Sequence, residues 1–208
     1  MDTNRAVGVI DYGGGNLRSL VKGLESLGVV PHLITDPEQL KEVGILFFPG
    51  QGAFGDCMGK LDRLGLTDPL RDWVGTDRPF FGICVGYQLL FESSEETPGC
   101  AGLGVLKGTV TRFPPGVLKV PHMGWNAAVL RESGQPPWQD LGPAPYFYYV
   151  HSYFPSPADD SIVAAETDYG LRFAAAVQRS RLLATQFHPE KSQKAGMRLI
   201  ANFLEQHR

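Results

Sequence analysis

The chain has 208 residues, 43% of them hydrophobic and 20% charged, and its 19 basic and 22 acidic side chains leave a formal net charge of −3. At this length folding buries roughly 70% of the surface that the unfolded chain exposes, so a full core forms without metal or disulfide staples. The apolar fraction excludes disorder, the lack of a glycine period excludes a collagen-like repeat, and mild acidity without any basic run argues against nucleic acid, which needs clustered Lys and Arg.

Met1-Asp2-Thr3-Asn4-Arg5 leads into Ala6-Val7-Gly8-Val9-Ile10 too quickly for a signal-peptide core. No stretch approaches the ~20 apolar residues of a membrane-spanning helix. A soluble cytoplasmic protein is expected. Cys57, Cys84 and Cys100 are odd in number and lack CxxC spacing, so neither a disulfide framework nor a zinc site is favoured.

In chain order, residues 7–10 read as a strand, and 17–27 as a helix with Leu17, Leu20, Val21, Leu24 and Leu27 on one face. Residues 29–34 are strand-like, 37–43 a short helix, and 45–48 a strand stopped by Pro49-Gly50. Helices over 56–64 and 68–74 precede a strand at 79–83. Continuous apolar strands alternating with helices predict a parallel sheet buried on both faces. From residue 99 to 181 the texture becomes β-rich, with strands expected at 146–154 and 171–177. A last strand at 183–187 feeds a C-terminal helix over 192–206, whose Met197, Ile200, Ala201 and Leu204 form a core-facing stripe. No linker interrupts residues 1–208, so one domain is expected.

Gly82-Ile83-Cys84-Val85-Gly86, between an apolar strand and the amphipathic segment 87–91, reads as a nucleophile elbow with Cys in place of Ser. The turn forces a strained backbone on the nucleophile, and the glycines on either side clear space for strand and helix. A position at a helix N-terminus favours the thiolate. The base expected for such a thiol is His188, 104 residues downstream in Gln186-Phe187-His188-Pro189-Glu190. Pro189 pushes His188 to an extended backbone, where positions two apart share a side, so Glu190 can orient its ring. One oxyanion donor comes from the Val85 N–H, and a second is expected from the turn holding Gly50, Gln51 and Gly52.

Asp11-Tyr12-Gly13-Gly14-Gly15-Asn16 resembles a phosphate loop only superficially, because Arg18 stands where the third glycine of G-x-G-x-x-G belongs. It is read as a tight turn bordering the site. His122 and His151, flanked by aromatics and without companion ligands at metal-binding spacing, are read as structural. Cys57, inside the amphipathic stretch 56–64, and Cys100, in a Pro-Gly loop, are assigned no chemistry. Neither metal nor cofactor is expected.

The elbow, extended to Tyr87-Gln88, and Phe187-His188-Pro189-Glu190-Lys191-Ser192 together resemble the class I (triad) glutamine amidotransferases over essentially the whole chain. Asp11 to Leu17, Pro121-His122-Met123-Gly124-Trp125-Asn126 and Tyr149-Val150-His151-Ser152-Tyr153 are more particular. They are similar to the branch whose glutaminase is a separate subunit serving a TIM-barrel cyclase in histidine biosynthesis. The resemblance implies that family's fold: a mostly parallel central sheet flanked by helices, with a β-rich second half. It implies a Cys84 thioester with L-glutamine, His188 and Glu190 completing the triad, substrate contacts at Gln88, Ser152 and Tyr153, and partner contacts at Lys191, Tyr148 and Asn16. Gln88 lies one turn beyond Cys84, as that role requires. The resemblance further implies a glutaminase held nearly inactive until its partner is ligated, through an amide of the 50–52 strand that points away from the site; Gln51 replaces a Val found in some relatives. Two other readings compete: a glutaminase for anthranilate, aminodeoxychorismate or pyridoxal phosphate synthesis, and a silent scaffold or independent cysteine hydrolase.

Overall fold

A computed structural model describes residues 6–13, 17–116 and 118–207. The elements run β1 (Val7–Ile10), α1 (Leu17–Ser26), β2 (His32–Ile34), β3 (Ile45–Gly50), α2 (Phe54–Arg63), α3 (Thr67–Gly75), β4 (Phe80–Cys84) and α4 (Val85–Gln88). The second half contributes β5 (Ser93–Ser94), β6 (Gly108–Arg112), β7 (His122–Ala127), β8 (Val129–Leu130), β9 (Tyr146–His151) and β10 (Tyr153–Pro157). It ends with β11 (Val163–Asp168), β12 (Arg172–Arg179), β13 (Leu182–Thr185) and α5 (Gln193–His207).

Eight strands form the central sheet in the order β2-β1-β3-β4-β13-β12-β11-β8. The first five are parallel and the last three are attached antiparallel. The continuous apolar runs of β1, β3 and β4 are buried at every residue, as a sheet covered on both faces requires. Phe47 and Phe81 meet Phe203 of α5 on one face, while Phe48 packs against Phe80 and Tyr12 on the other. The stripe expected on α5 is shifted: Ile200 and Leu204 are buried, but Leu199 and Phe203 complete it, while Met197 and Ala201 are only half-buried.

Four expectations need correction. The strand-like run 29–34 forms β2 only from His32. Residues 37–43 make a 3-10 turn over Pro37–Glu42, capped by Asp36. Pro49-Gly50 does not stop β3, because the strand continues through both to pair Gly50 with Cys84. The single strand expected over 146–154 is two, broken at Ser152: β9 pairs with β7, while β10 pairs with β6 in another sheet. The aromatic run gave no local signal for that change of partner.

The site is positioned by close backbone contact at the carboxyl ends of β3 and β4. A Cβ on Gly86 would lie 2.0 Å from the Phe48 carbonyl oxygen, and one on Gly50 would lie 2.4 Å from the Gly86 nitrogen. Only bare backbone lets α4 sit this near β3. Gly86→Ala is therefore expected to lower the unfolding free energy by about 2–3 kcal/mol, as overpacking against backbone does. Urea denaturation measures it, and a loss within error would show that α4 can retreat from β3.

Candidate active site

Cys84 ends β4 with φ 55 and ψ −110, a left-handed conformation that costs a non-glycine residue about 1–3 kcal/mol and marks the elbow. The helix that follows is a single turn of four buried residues, Val85–Gln88. The expected amphipathic segment 87–91 is instead buried throughout, and the aligned peptide dipoles behind the sulfur are those of one turn only.

His188 lies just beyond β13, the neighbour of β4, which carries its ring to the sulfur. Its backbone is extended, at φ −99 and ψ 94, but Pro189–Lys191 then close a 3-10 turn. Glu190 thus reaches His188 through a turn, not through strand alternation. The His188 Nδ1–H donates to Glu190 Oε1 at 2.8 Å, with both side chains almost fully buried. The turn is locked on one side by β9, where the His188 N–H donates to the Tyr148 carbonyl at 2.9 Å. The Ser192 hydroxyl donates to the His188 carbonyl at 2.6 Å and accepts from the Tyr148 N–H at 2.9 Å. On the other side α5 presses against it, since a Cβ on Gly196 would lie 1.8 Å from the Pro189 carbonyl oxygen.

Burial alone would push the His188 imidazole down, yet the Cys84 sulfur facing it and the Glu190 carboxylate behind it carry it up to about 10. The ring is charged at neutral pH and faces the Cys84 sulfur. Cys84 and the His188–Glu190 pair, far apart in sequence, converge at the carboxyl edge of the sheet, where ligands bind in open α/β folds.

A cavity of about 220 Å³ opens on Cys84, lined by Gln51, Gly52, Val85 and Gln88 on one side and by His151, Ser152, Tyr153 and His188 on the other. Roomier hollows of about 670 Å³ beside α5 and about 330 Å³ near Arg131 have neither cysteine nor histidine among their described lining residues, so volume is the poorer guide here. Gln88 Nε2 donates to the Tyr153 carbonyl at 2.9 Å, and the Phe113 N–H to the Ser152 carbonyl at 3.2 Å. Lys191, in the turn after His188, and Tyr148, on β9, are half-buried. Asn16 falls outside the described residues.

Three residues passed over in the sequence contribute here. Glu96 lines the cavity and accepts from the Phe54 N–H at 2.7 Å, capping α2 in place of Ala53. Cys57 is buried beneath the 50–52 loop: its thiol donates to the Gln51 carbonyl at 3.7 Å, and the Tyr12 hydroxyl donates to Cys57 Sγ at 3.6 Å. Burial, then Cys57, pushes the Tyr12 phenol up, partly offset by a hydrogen bond from the Gln51 backbone. Gln186, buried beside Cys84, is the third. The local sequence gave Glu96 and Cys57 no role at this loop, because only the fold brings them to it.

His122 and His151 pack as structural residues, His122 stacking between Tyr149 and Tyr169 at 4.7 and 3.9 Å. His151 also forms part of the cavity wall.

The geometry of elbow, base and carboxylate now has an independent counterpart. The family model described as glutamine amidotransferase class-I matches residues 8–207. The chain belongs to the class I glutamine amidotransferases. It is thus a glutamine-hydrolysing enzyme. Among its relatives, "Imidazole glycerol phosphate synthase subunit HisH" of Rhodopirellula baltica is 48% identical, covering 94% of this chain and 95% of its own. The protein of the same name from Aromatoleum aromaticum is 47% identical, covering 95% and 97%. A solved structure titled "Crystal structure of glutamine amidotransferase" shares the fold at TM-score 0.76 and 23% identity, covering 96% and 97%. "Structure of PurLQS from Thermotoga maritima" does so at 0.76 and 18%, covering 98% and 99%.

Burial holds His122 down at about 4 and His151 at about 3, so both rings are neutral in the folded chain. The unfolded chain takes up protons first, so stability from this pair is full above pH 6.5 and drains as pH falls through 6.5 towards those values. His188 acts oppositely but only between 6.5 and about 10, leaving the lower window clear. The melting temperature should fall from about pH 6.5 to about pH 5, less steeply in His122→Phe. An identical slope in parent and variant would contradict neutral burial.

Proposed function

We propose that Cys84, His188 and Glu190 are the catalytic triad of the glutaminase subunit of an imidazole glycerol phosphate synthase. The observation that carries the roles is the strained Cys84 facing a His188 ring that Glu190 holds, in a chain nearly half identical to proteins of that name. The Cys84 thiolate attacks the side-chain amide carbon of L-glutamine, and the carbonyl oxygen becomes an oxyanion. The Val85 N–H and an amide of the Gly50-Gln51-Gly52 loop receive it. The Gln51 carbonyl is turned to Cys57, so within that planar trans peptide the Gly52 N–H points away from Cys57. The proton of His188 goes to the leaving nitrogen, ammonia departs, and a glutamyl thioester remains. His188, now neutral, takes a proton from water, whose oxygen attacks the thioester to release glutamate and regenerate the thiolate.

Gln88, Ser152 and Tyr153 hold the amino-acid end of the substrate, and the Glu96 carboxylate suits its ammonium group. The whole chain acts as one glutaminase domain. The ammonia passes to a TIM-barrel cyclase on a second chain, which forms imidazole glycerol phosphate and AICAR. Lys191, Tyr148 and Asn16 belong to that contact, together with the outer face of β7 and β9, where Met123, Trp125 and Tyr146 are exposed at 62%, 46% and 61%. Such a contiguous aromatic and apolar patch marks a protein interface. Among the described residues no helix is long and apolar enough to cross a membrane, and we place the enzyme in the cytoplasm.

Cys84→Ala in the two-subunit enzyme should lower glutamine-dependent synthesis by about 10³-fold or more, as loss of a triad nucleophile does, while synthesis from added ammonium salt persists. Retained glutamine-dependent turnover would refute the nucleophile assignment.

A further inference from the structure

We propose that Gln186 is a positioning residue for Cys84: a hydrogen-bond chain whose direction is set by the Tyr153 carbonyl turns the Gln186 amide N–H onto the sulfur. The inference rests on the reading of Cys84 as nucleophile.

The chain can be written in one direction only, because a carbonyl oxygen accepts and never donates. The Tyr153 carbonyl takes hydrogen bonds from Gln88 Nε2 at 2.9 Å and from His151 Nδ1 at 2.8 Å. The first contact fixes the Gln88 amide, and the same nitrogen donates to Gln186 Oε1 at 3.1 Å. Gln186 therefore has its oxygen towards Gln88 and its nitrogen towards Cys84 Sγ, at 3.7 Å. The second contact places the His151 proton on Nδ1, so His151 Nε2 accepts from His122 Nδ1 at 3.0 Å. His122 Nε2 in turn accepts from Asn126 Nδ2 at 3.3 Å, and that nitrogen is confirmed as a donor by the Asp168 carbonyl at 2.9 Å. Flipping any one amide or ring would set two donors or two acceptors against each other.

Gln186 is 0% exposed, and its own N–H donates to the Ala175 carbonyl at 2.8 Å. The side chain has no room to turn away. A fixed donor strengthens more towards an ionised acceptor than a neutral one, so it favours the thiolate and holds the sulfur in one place. The titratable groups facing that sulfur are His188, from the turn after β13, and Tyr12, after β1. Glu190 stands behind His188, and His151 and Glu96 stand across the cavity. Gln186 carries no charge, so replacing it leaves all of these in place.

The test uses the two-subunit enzyme with two uncharged replacements: Gln186→Met, which keeps the length and leaves a weak acceptor towards Gln88 but no donor, and Gln186→Leu, which loses both, while the Tyr153 carbonyl still holds Gln88. The rate of iodoacetamide alkylation against pH is read at the Cys84 peptide by mass spectrometry, which separates it from Cys57 and Cys100. The curve should move to higher pH, with kcat for glutamine lowered about 10- to 100-fold and KM changed by less than about 2-fold. A folded variant with the parent alkylation curve overturns the proposal even if kcat falls, since that is what a merely structural role would give. On the unmodified protein, the Gln186 side-chain amide resonance should shift when Cys84 is alkylated, and a resonance that stays put also overturns it. Failure of the nucleophile reading would show elsewhere, as glutamine turnover retained by Cys84→Ala.

Discussion

The backbone-to-backbone contact between α4 and the end of β3 is the constraint on which the site depends. Because neither Gly50 nor Gly86 carries a side chain, the chain can reverse sharply at Cys84 and hold it in a left-handed conformation. The same contact sets the Gly50-Gln51-Gly52 loop beside the sulfur, since Gly50 and Cys84 are register partners. The strain at Cys84 is small beside the burial of β3 and β4, whose every residue is covered, so the sheet can hold it. Cys84 and the 50–52 loop are thus placed by one packing contact.

The second determinant is the way buried polar groups are arranged. Gln88, Gln186, His122, His151 and His188 are all nearly inaccessible to water. A buried donor or acceptor left without a partner costs about 1–3 kcal/mol, so each must be directed with care. The structure meets this with two different chemistries side by side. Along the Tyr153 carbonyl the groups are neutral and every proton has one place to be, whereas at His188 the ring is charged because sulfur and carboxylate flank it. Neutral order around a charged ring leaves the partner of the Cys84 sulfur unambiguous.

How much of this was legible in the sequence differs from element to element. The alternation of apolar strands and helices in the first half, and the elbow glycines, are local signals and placed β1, β3, β4, α2 and α3 within a few residues. The proline rule failed at Pro49, because that strand end has no ladder position that needs its missing N–H strongly enough to end the strand. Residues 146–154 looked like one strand because alternation does not record which sheet a strand joins; the switch at Ser152 is decided by β6 and β7, far away in sequence. The pairing of His188 with Glu190 was anticipated from spacing, but by the wrong local geometry. No local pattern assigned these roles to Glu96, Cys57 and Gln186, although Gln186 stands in the His188 segment and Cys57 has glycines two before and two after it. Their relevance exists only once α2, β13 and the 50–52 loop are brought together.

Membership of the class I glutamine amidotransferases settles the type of chemistry; which atom of this chain performs it is the central claim. A diazoketone analogue of glutamine, which alkylates the nucleophile that attacks it, addresses that directly by peptide mass spectrometry. The account predicts a glutamine-derived adduct on the Cys84 peptide, suppressed by excess L-glutamine, with the Cys57 and Cys100 peptides unmodified. An adduct at either of those cysteines, or labelling of Cys84 that glutamine does not suppress, would contradict it.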